Sequence, residues 1–225
     1  MKFAFLFTTF LFSIAFCCAQ ENNTTLPQQK ITTNYEYDTD LLTPAFFAKN
    51  RQALRDSMPK NTVAVLFANP VRNRSNDVDY EYHQDPNFYY LTGLREPNAV
   101  LLIFKEDQEF SNGLKTNEIL FLQKRNLANE IWTGKRLGTK GAINFLGIKS
   151  AINGNNFSDF KTEFETFNQI FILNDFNDTR NTDEKDDLYS LKNDFKLKTS
   201  KATQKIDTKR LAKIMAGLRQ IKFKE

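Results

Sequence analysis

Four short, nearly uninterrupted apolar runs decide what this chain can fold into. They are Val63–Ala68 (VAVLFA), Ala99–Phe104 (AVLLIF), Glu118–Gln123 (EILFLQ) and Gln169–Leu173 (QIFIL), each of strand length. A strand that is apolar on both sides of its pleat needs cover on both faces. The segments between the runs carry helical spacing. The expected class is therefore α/β, a mixed β-sheet covered by helices on both faces. At 225 residues and 26.1 kDa the chain has room for one ordinary domain, or one domain and a fragment of a second.

Local signals place the helices. Thr43 can cap a helix with Pro44 at its first position. Phe46, Phe47, Leu54 and Met58 share one face of it, Lys49, Arg51 and Arg55 are expected mostly opposite, and Pro59 ends it. Pro86 can open a short helix that Gly93 stops. Asn112-Gly113 favours a turn, so the second and third apolar runs are expected to pair as a hairpin. Thr139–Leu146 reads as a helix ending at Gly147. Phe157, Phe160, Phe164 and Phe167 recur at helical intervals and predict an amphipathic helix over Asn156–Phe167. A further helix is expected over 183–194. A last one is expected from about Ile206, with Leu211, Ile214, Met215 and Leu218 on one face and no stop signal before Glu225.

Residues 1–19 read as a secretory signal peptide. Lys2 supplies the positive start, Phe3 to Phe16 the apolar stretch, and Cys17 and Ala19 the small residues before cleavage at Gln20. The expected location is secreted or periplasmic. Acylation of Cys17 or Cys18 is the alternative. The stretch is shorter than the ~20 residues a membrane span requires. Residues 20–42 are polar and aperiodic, as in a solvated linker.

Residue counts exclude much chemistry. Cys17 and Cys18 are the only cysteines and His83 the only histidine. A zinc finger, a Cys nucleophile and a His-rich metal site are thereby ruled out for the mature chain. The acidic run Asp77-Val78-Asp79-Tyr80-Glu81 fails as a calcium loop, since Tyr82 stands where a Gly is needed, and reads as a surface loop paired with Arg72, Arg74 or water. His83 has no partner motif. Gly134, Gly138 and Gly141 match no dinucleotide or phosphate-loop fingerprint. Trp132 reads as a core or interface anchor. The net charge of +4 is spread among interleaved acids and bases, and the Lys-rich 192–224 region lacks interleaved aromatics, so no nucleic-acid partner is expected.

Two ordered stretches carry a resemblance. The first runs from Leu66-Phe67-Ala68-Asn69-Pro70 through Arg74-Ser75-Asn76-Asp77 and Tyr82-His83-Gln84-Asp85-Pro86-Asn87-Phe88-Tyr89-Tyr90-Leu91-Thr92-Gly93 to Glu96-Pro97-Asn98-Ala99-Val100-Leu101. The second is Glu130-Ile131-Trp132-Thr133-Gly134-Lys135-Arg136-Leu137-Gly138. Together with Arg51-Gln52-Ala53-Leu54 and Leu218-Arg219-Gln220-Ile221-Lys222, they resemble the N-terminal domain of the Xaa-Pro aminopeptidase (aminopeptidase P) family. His83 stands where that family has Arg.

The resemblance implies a creatinase- and prolidase-like architecture, in which 43–205 is the N-terminal domain and 206–225 opens a catalytic pita-bread domain absent from the sequence. Two manganese ions are implied for the complete enzyme, held by Asp, His and Glu ligands of that second domain. No metal ligand or catalytic residue is carried over to this chain, which is expected to be inactive alone. The implied partners are a second copy or a separate catalytic domain, and for the complete enzyme a peptide with proline second. By position, Tyr89 is implied as an aromatic wall at a neighbouring subunit's substrate entrance. The residues alone equally allow Phe88, Tyr89 and Tyr90 all to be core.

Overall fold

The computed structural model describes residues 37–40, 42–173 and 179–221. The expected signal peptide and most of the expected linker lie outside them.

In chain order the elements are α1 (Pro44–Ser57), β1 (Thr62–Phe67), β2 (Asn73–Ser75), β3 (Val78–Asp79), α2 (Pro86–Thr92), β4 (Val100–Glu109), β5 (Lys115–Leu122), α3 (Glu130–Thr133), α4 (Gly138–Leu146), β6 (Ala151–Asn153), β7 (Gln169–Ile172), α5 (Leu188–Lys198), β8 (Ile206–Asp207) and α6 (Arg210–Gln220). The main sheet has the order β6-β5-β4-β1-β7-β8. The β4–β5 hairpin is antiparallel, as the Asn112-Gly113 turn requires. β4 is also antiparallel to β1, while β1 with β7, β5 with β6 and β7 with β8 are parallel. All strands of this sheet except β4 therefore run in one direction, and their carboxyl ends share one rim of it, while β2 and β3 form a separate antiparallel pair.

Both faces are covered. Val63, Val65, Leu102, Phe104, Ile119, Phe121 and Ile170 meet a layer built from Phe157, Phe164, Phe167, Leu191 and Phe195. Its rings lock edge to face, with Phe121–Phe157 at 4.9 Å and Phe164–Phe195 at 5.5 Å between centroids. α1 packs on β4 and against α2, α4 and α6, with Phe47, Leu54, Leu211 and Met215 buried. Burying each such side chain contributes ~1.5–3 kcal/mol.

Three expectations are corrected. The phenylalanines of Asn156–Phe167 are core, but no α-helix carries them. Short 3-10 turns at Gly154–Asn156 and Phe164–Thr166, with irregular backbone between them, stand in its place. Lys198 Nζ donates to the Ser158 and Phe160 carbonyls, and Lys205 Nζ to those of Glu165 and Phe167. Distant lysines thus satisfy carbonyls that a helix would have used. The helix expected over 183–194 spans Leu188–Lys198, capped by Asp187. The last helix starts at Arg210, because Ile206–Asp207 pairs with β7 and Asp207 Oδ1 accepts from the Lys209 and Arg210 amides.

The fourth correction concerns charge. Arg51 and Arg55 do not face solvent. Arg51 is fully buried and its Nε lies 3.0 Å from both oxygens of Glu118, which is 1% exposed on β5. Arg55 Nη1 donates to Glu118 at 2.7 Å. The remaining Arg51 donors reach the carbonyls of Leu91 (2.9 Å) and Gly147 (2.5 Å), and the Lys149 amide donates to Glu118. Burial pushes the Glu118 carboxyl up, but Arg51, the Lys149 amide and Arg55 outweigh it and hold the group below its ordinary value.

Removing one partner of a buried ion pair leaves an uncompensated charge. Glu118→Gln is expected to lower the unfolding free energy by ~3–5 kcal/mol in urea titrations at pH 7. Because the folded-state value is depressed, this stabilisation is present above the ordinary carboxylate range and is lost as pH falls through the folded value. The gap between native and variant should accordingly close in acid.

Candidate functional site

α2 begins at Asp85, whose Oδ1 accepts from the Asn87 and Phe88 amides, and ends at Gly93. Gly93 has φ +70°, and a Cβ there would lie 2.6 Å from the Phe47 ring, so both backbone and space demand glycine. The helix turns Phe88 into the core and leaves Tyr89 and Tyr90 half-buried. Tyr90 donates to the Leu218 carbonyl on α6.

Tyr89 is engaged by the segment before α1. Its hydroxyl donates to Asp40 at 2.6 Å, and the Arg95 guanidinium sits 5.6 Å from its ring centroid. Arg95 in turn pairs with Asp38 and Asp40, and its amide donates to the Tyr37 hydroxyl. Burial, then the Asp40 carboxylate, pushes the Tyr89 phenol up to about 12. The hydrogen bond from Arg95, then that from Tyr89, holds Asp40 below its ordinary value. Tyr89, Tyr90, Phe46, Phe47 and Arg219 line a groove of about 660 Å³.

The second predicted stretch forms a turn held out from the core. Asn126 Oδ1 accepts from the Ala128 and Asn129 amides, and Arg125 grips Glu130 through two 2.7 Å hydrogen bonds. The α3 turn then presents Ile131 (80% exposed) and Trp132 (89% exposed), with Leu127 (73%) nearby. Of the two roles expected of Trp132, burial in this chain's core is thereby excluded. The turn rejoins the fold at Leu137, whose amide donates to Glu96 Oε1 at 2.7 Å. Glu96 is 6% exposed and its Oε2 has no partner. Burial pushes its carboxyl above the ordinary value against the Leu137 hydrogen bond and the Arg136 charge.

The two stretches are bridged by Gln84, which sequence reasoning left without a role. Its Oε1 accepts from the Asn69 and Asp85 amides and from the Tyr82 hydroxyl, while Nε2 donates to the Leu94 and Glu96 carbonyls. His83 beside it is exposed and uses its backbone carbonyl to accept from Asn69. In the acidic run, Asp79 pairs with Arg180 and accepts from Asn73, where Arg72 or Arg74 was expected. Among the described residues no group of three or more His, Cys, Asp or Glu side chains could hold a metal ion. The manganese pair implied for the complete enzyme does not fit this residue set. No helix among the described residues is long and apolar enough to cross a membrane.

Comparison with known proteins converges on one lineage. The family model described as aminopeptidase P, N-terminal domain, matches residues 47–170. The chain is 40% identical over 106 residues to Xaa-Pro aminopeptidase of Escherichia coli, a match covering 47% of the chain and 23% of that protein. It is 34% identical over 143 residues to intermediate cleaving peptidase 55 of Schizosaccharomyces pombe, covering 62% of the chain and 27% of the relative. The chain thus spans about a quarter of these relatives. Among solved structures, E. coli aminopeptidase P with the inhibitor Pro-Leu superposes with a TM-score of 0.53 at 28% identity, covering 72% of this chain and 35% of that one. A Bacillus anthracis structure assigned to aminopeptidase P gives 0.61 at 24% identity, with 81% and 41% covered, and supports the fold alone.

Glu96→Gln tests the anchor of the exposed turn. Glutamine keeps an acceptor for the Leu137 amide and removes the buried charge. A raised folded-state value means that the native carboxyl contributes fully below the ordinary range and loses that contribution as pH rises through the folded value. The stability of the variant relative to the native chain, read from urea titrations, should be greater at pH 7 than at pH 4.

Proposed function

Because the chain belongs to the aminopeptidase P N-terminal domain family, we propose that it is the non-catalytic N-terminal domain of a secreted Xaa-Pro aminopeptidase, acting against a catalytic domain that lies outside these 225 residues. In this reading the complete enzyme removes an N-terminal residue that precedes proline, using two manganese ions held by the catalytic domain. The N-terminal domain supplies a docking face and part of the substrate entrance. Export follows from the signal-like residues 1–19.

The observation that carries the reading is the outward Ile131–Trp132 turn inside the family-matched span. A tryptophan brings a large apolar area and a single donor, a combination enriched at interfaces. A fold that secures the flanks of the turn through Arg125–Glu130 and Glu96–Leu137, while leaving the indole in solvent, presents it to something else. Tyr89, half-buried beside the Phe46–Arg219 groove, is the second aromatic of the proposed entrance.

Two measurements test this. The purified 225-residue chain, given a Xaa-Pro peptide and manganese, should show no turnover above the protein-free blank, and robust turnover refutes the non-catalytic assignment. In sizing chromatography with the catalytic domain supplied as a separate chain, Trp132→Ala should weaken association at least tenfold while changing stability by less than ~0.5 kcal/mol, as for an exposed residue. If the native chain self-associates without that domain and Trp132→Ala abolishes it, the chain is an oligomerisation module in its own right.

A further inference from the structure

A hollow of about 360 Å³ opens at the rim where the carboxyl ends of the co-directed strands meet, lined by residues that follow β1 and β5 and precede β4. Open α/β sheets receive ligands at that rim. The wall is partly apolar, from Pro70, Val71, Pro97 and Leu188, and partly charged.

The charges are not equivalent. Asp79 is neutralised by Arg180 at 2.8 Å. Asp187 is spent as the cap of α5, with Oδ1 accepting from the Ser190 amide and Oδ2 from the Thr182 amide and hydroxyl. Lys124 and Arg136 have no side-chain hydrogen bond or ion pair among the described residues. Arg136 bears electrostatically on the buried Glu96, whose Oε1 is already held by the Leu137 amide. Lys124, Arg136 and Arg180 against Asp79 and Asp187 leave the lining with an excess of one positive charge. Cations free of hydrogen-bonded partners beside an apolar wall suit an anion attached to an apolar body better than a free inorganic ion, since the body gains from burial and the carboxylate from charge-assisted hydrogen bonds.

We infer that this hollow binds a carboxylate borne on a small apolar body, as at the C-terminus of a peptide. The inference stands on the cavity and its charges and is independent of the peptidase reading. The test is calorimetric titration of the 225-residue chain with acetyl-Ala-Leu as the free acid, with the same peptide as its C-terminal amide, and with inorganic phosphate. The acid should bind saturably, and the amide and phosphate at least tenfold more weakly. Lys124→Gln combined with Arg136→Gln should weaken the acid about tenfold, the scale of one or two charge-assisted hydrogen bonds. Lys124→Gln alone, at an exposed position, should give a smaller loss in the same direction and serves if the double variant does not fold. Absence of saturable binding by the acid, equal binding of the amide or of phosphate, or unchanged affinity in a folded variant overturns the inference.

Discussion

Glu118 sits inside the sheet with two guanidinium groups and one backbone amide on its oxygens, and the placement of the rest follows from satisfying that cluster. A carboxylate carried into the interior is tolerable only when its lone pairs are met by donors of good geometry. Arg51 and Arg55, one helical turn apart on α1, fix how α1 lies across β4 and β5. Arg51 has donors to spare and gives them to the carbonyls that end α2 and α4. A lysine could not do this, because its three donors leave one nitrogen and cannot span the Glu118 carboxylate and carbonyls at the ends of two separate helices. One residue thereby sets α1, the Tyr89 helix and the helix that follows the Trp132 turn in a common frame.

That frame explains which parts were legible in the sequence. Strands buried on both faces announce themselves as apolar runs, and Thr43, Pro86, Gly93 and Gly147 mark helix ends through local chemistry. Local chemistry is also where such reading stops. The phenylalanine spacing of 157–167 is compatible with a helix, and what replaces the helix is a pair of lysines, Lys198 and Lys205, about 40 residues away. Arg51 and Arg55 look like the solvent side of α1 until the partner 67 and 63 residues on is in view. A charge pattern along one helix carries no record of a carboxylate waiting on a strand.

The candidate site divides along the same line. That Asn87-Phe88-Tyr89-Tyr90 and Glu130-Ile131-Trp132 belong together was readable from their motifs. Their exposure was not, because tryptophan and tyrosine serve equally as core and as interface residues. The deciding fact is geometric: the three-residue gap between Gly134 and Gly138, both at positive φ, returns the chain to the core at Leu137 and keeps α3 outside it. Tyr89 shows the converse. Its hydroxyl is taken by Asp40, which lies in a stretch whose polar composition suggested only a linker.

A continuous path of hydrogen bonds links the two aromatic segments. Asp85 caps α2, Gln84 joins the Asp85 amide to the Glu96 carbonyl, and the Glu96 carboxyl holds Leu137. Displacing one segment therefore breaks hydrogen bonds to the other, and the bond from the buried Leu137 amide to Glu96 is the most costly of them to lose. Surface loops ordinarily gain freedom at little cost, and an apolar turn in solvent would be expected to fold back on the nearest apolar surface. Here the turn is stiffened within itself by Arg125–Glu130 and tied to the fold at Leu137. The outward indole goes with the half-buried polar path that anchors the turn at Leu137.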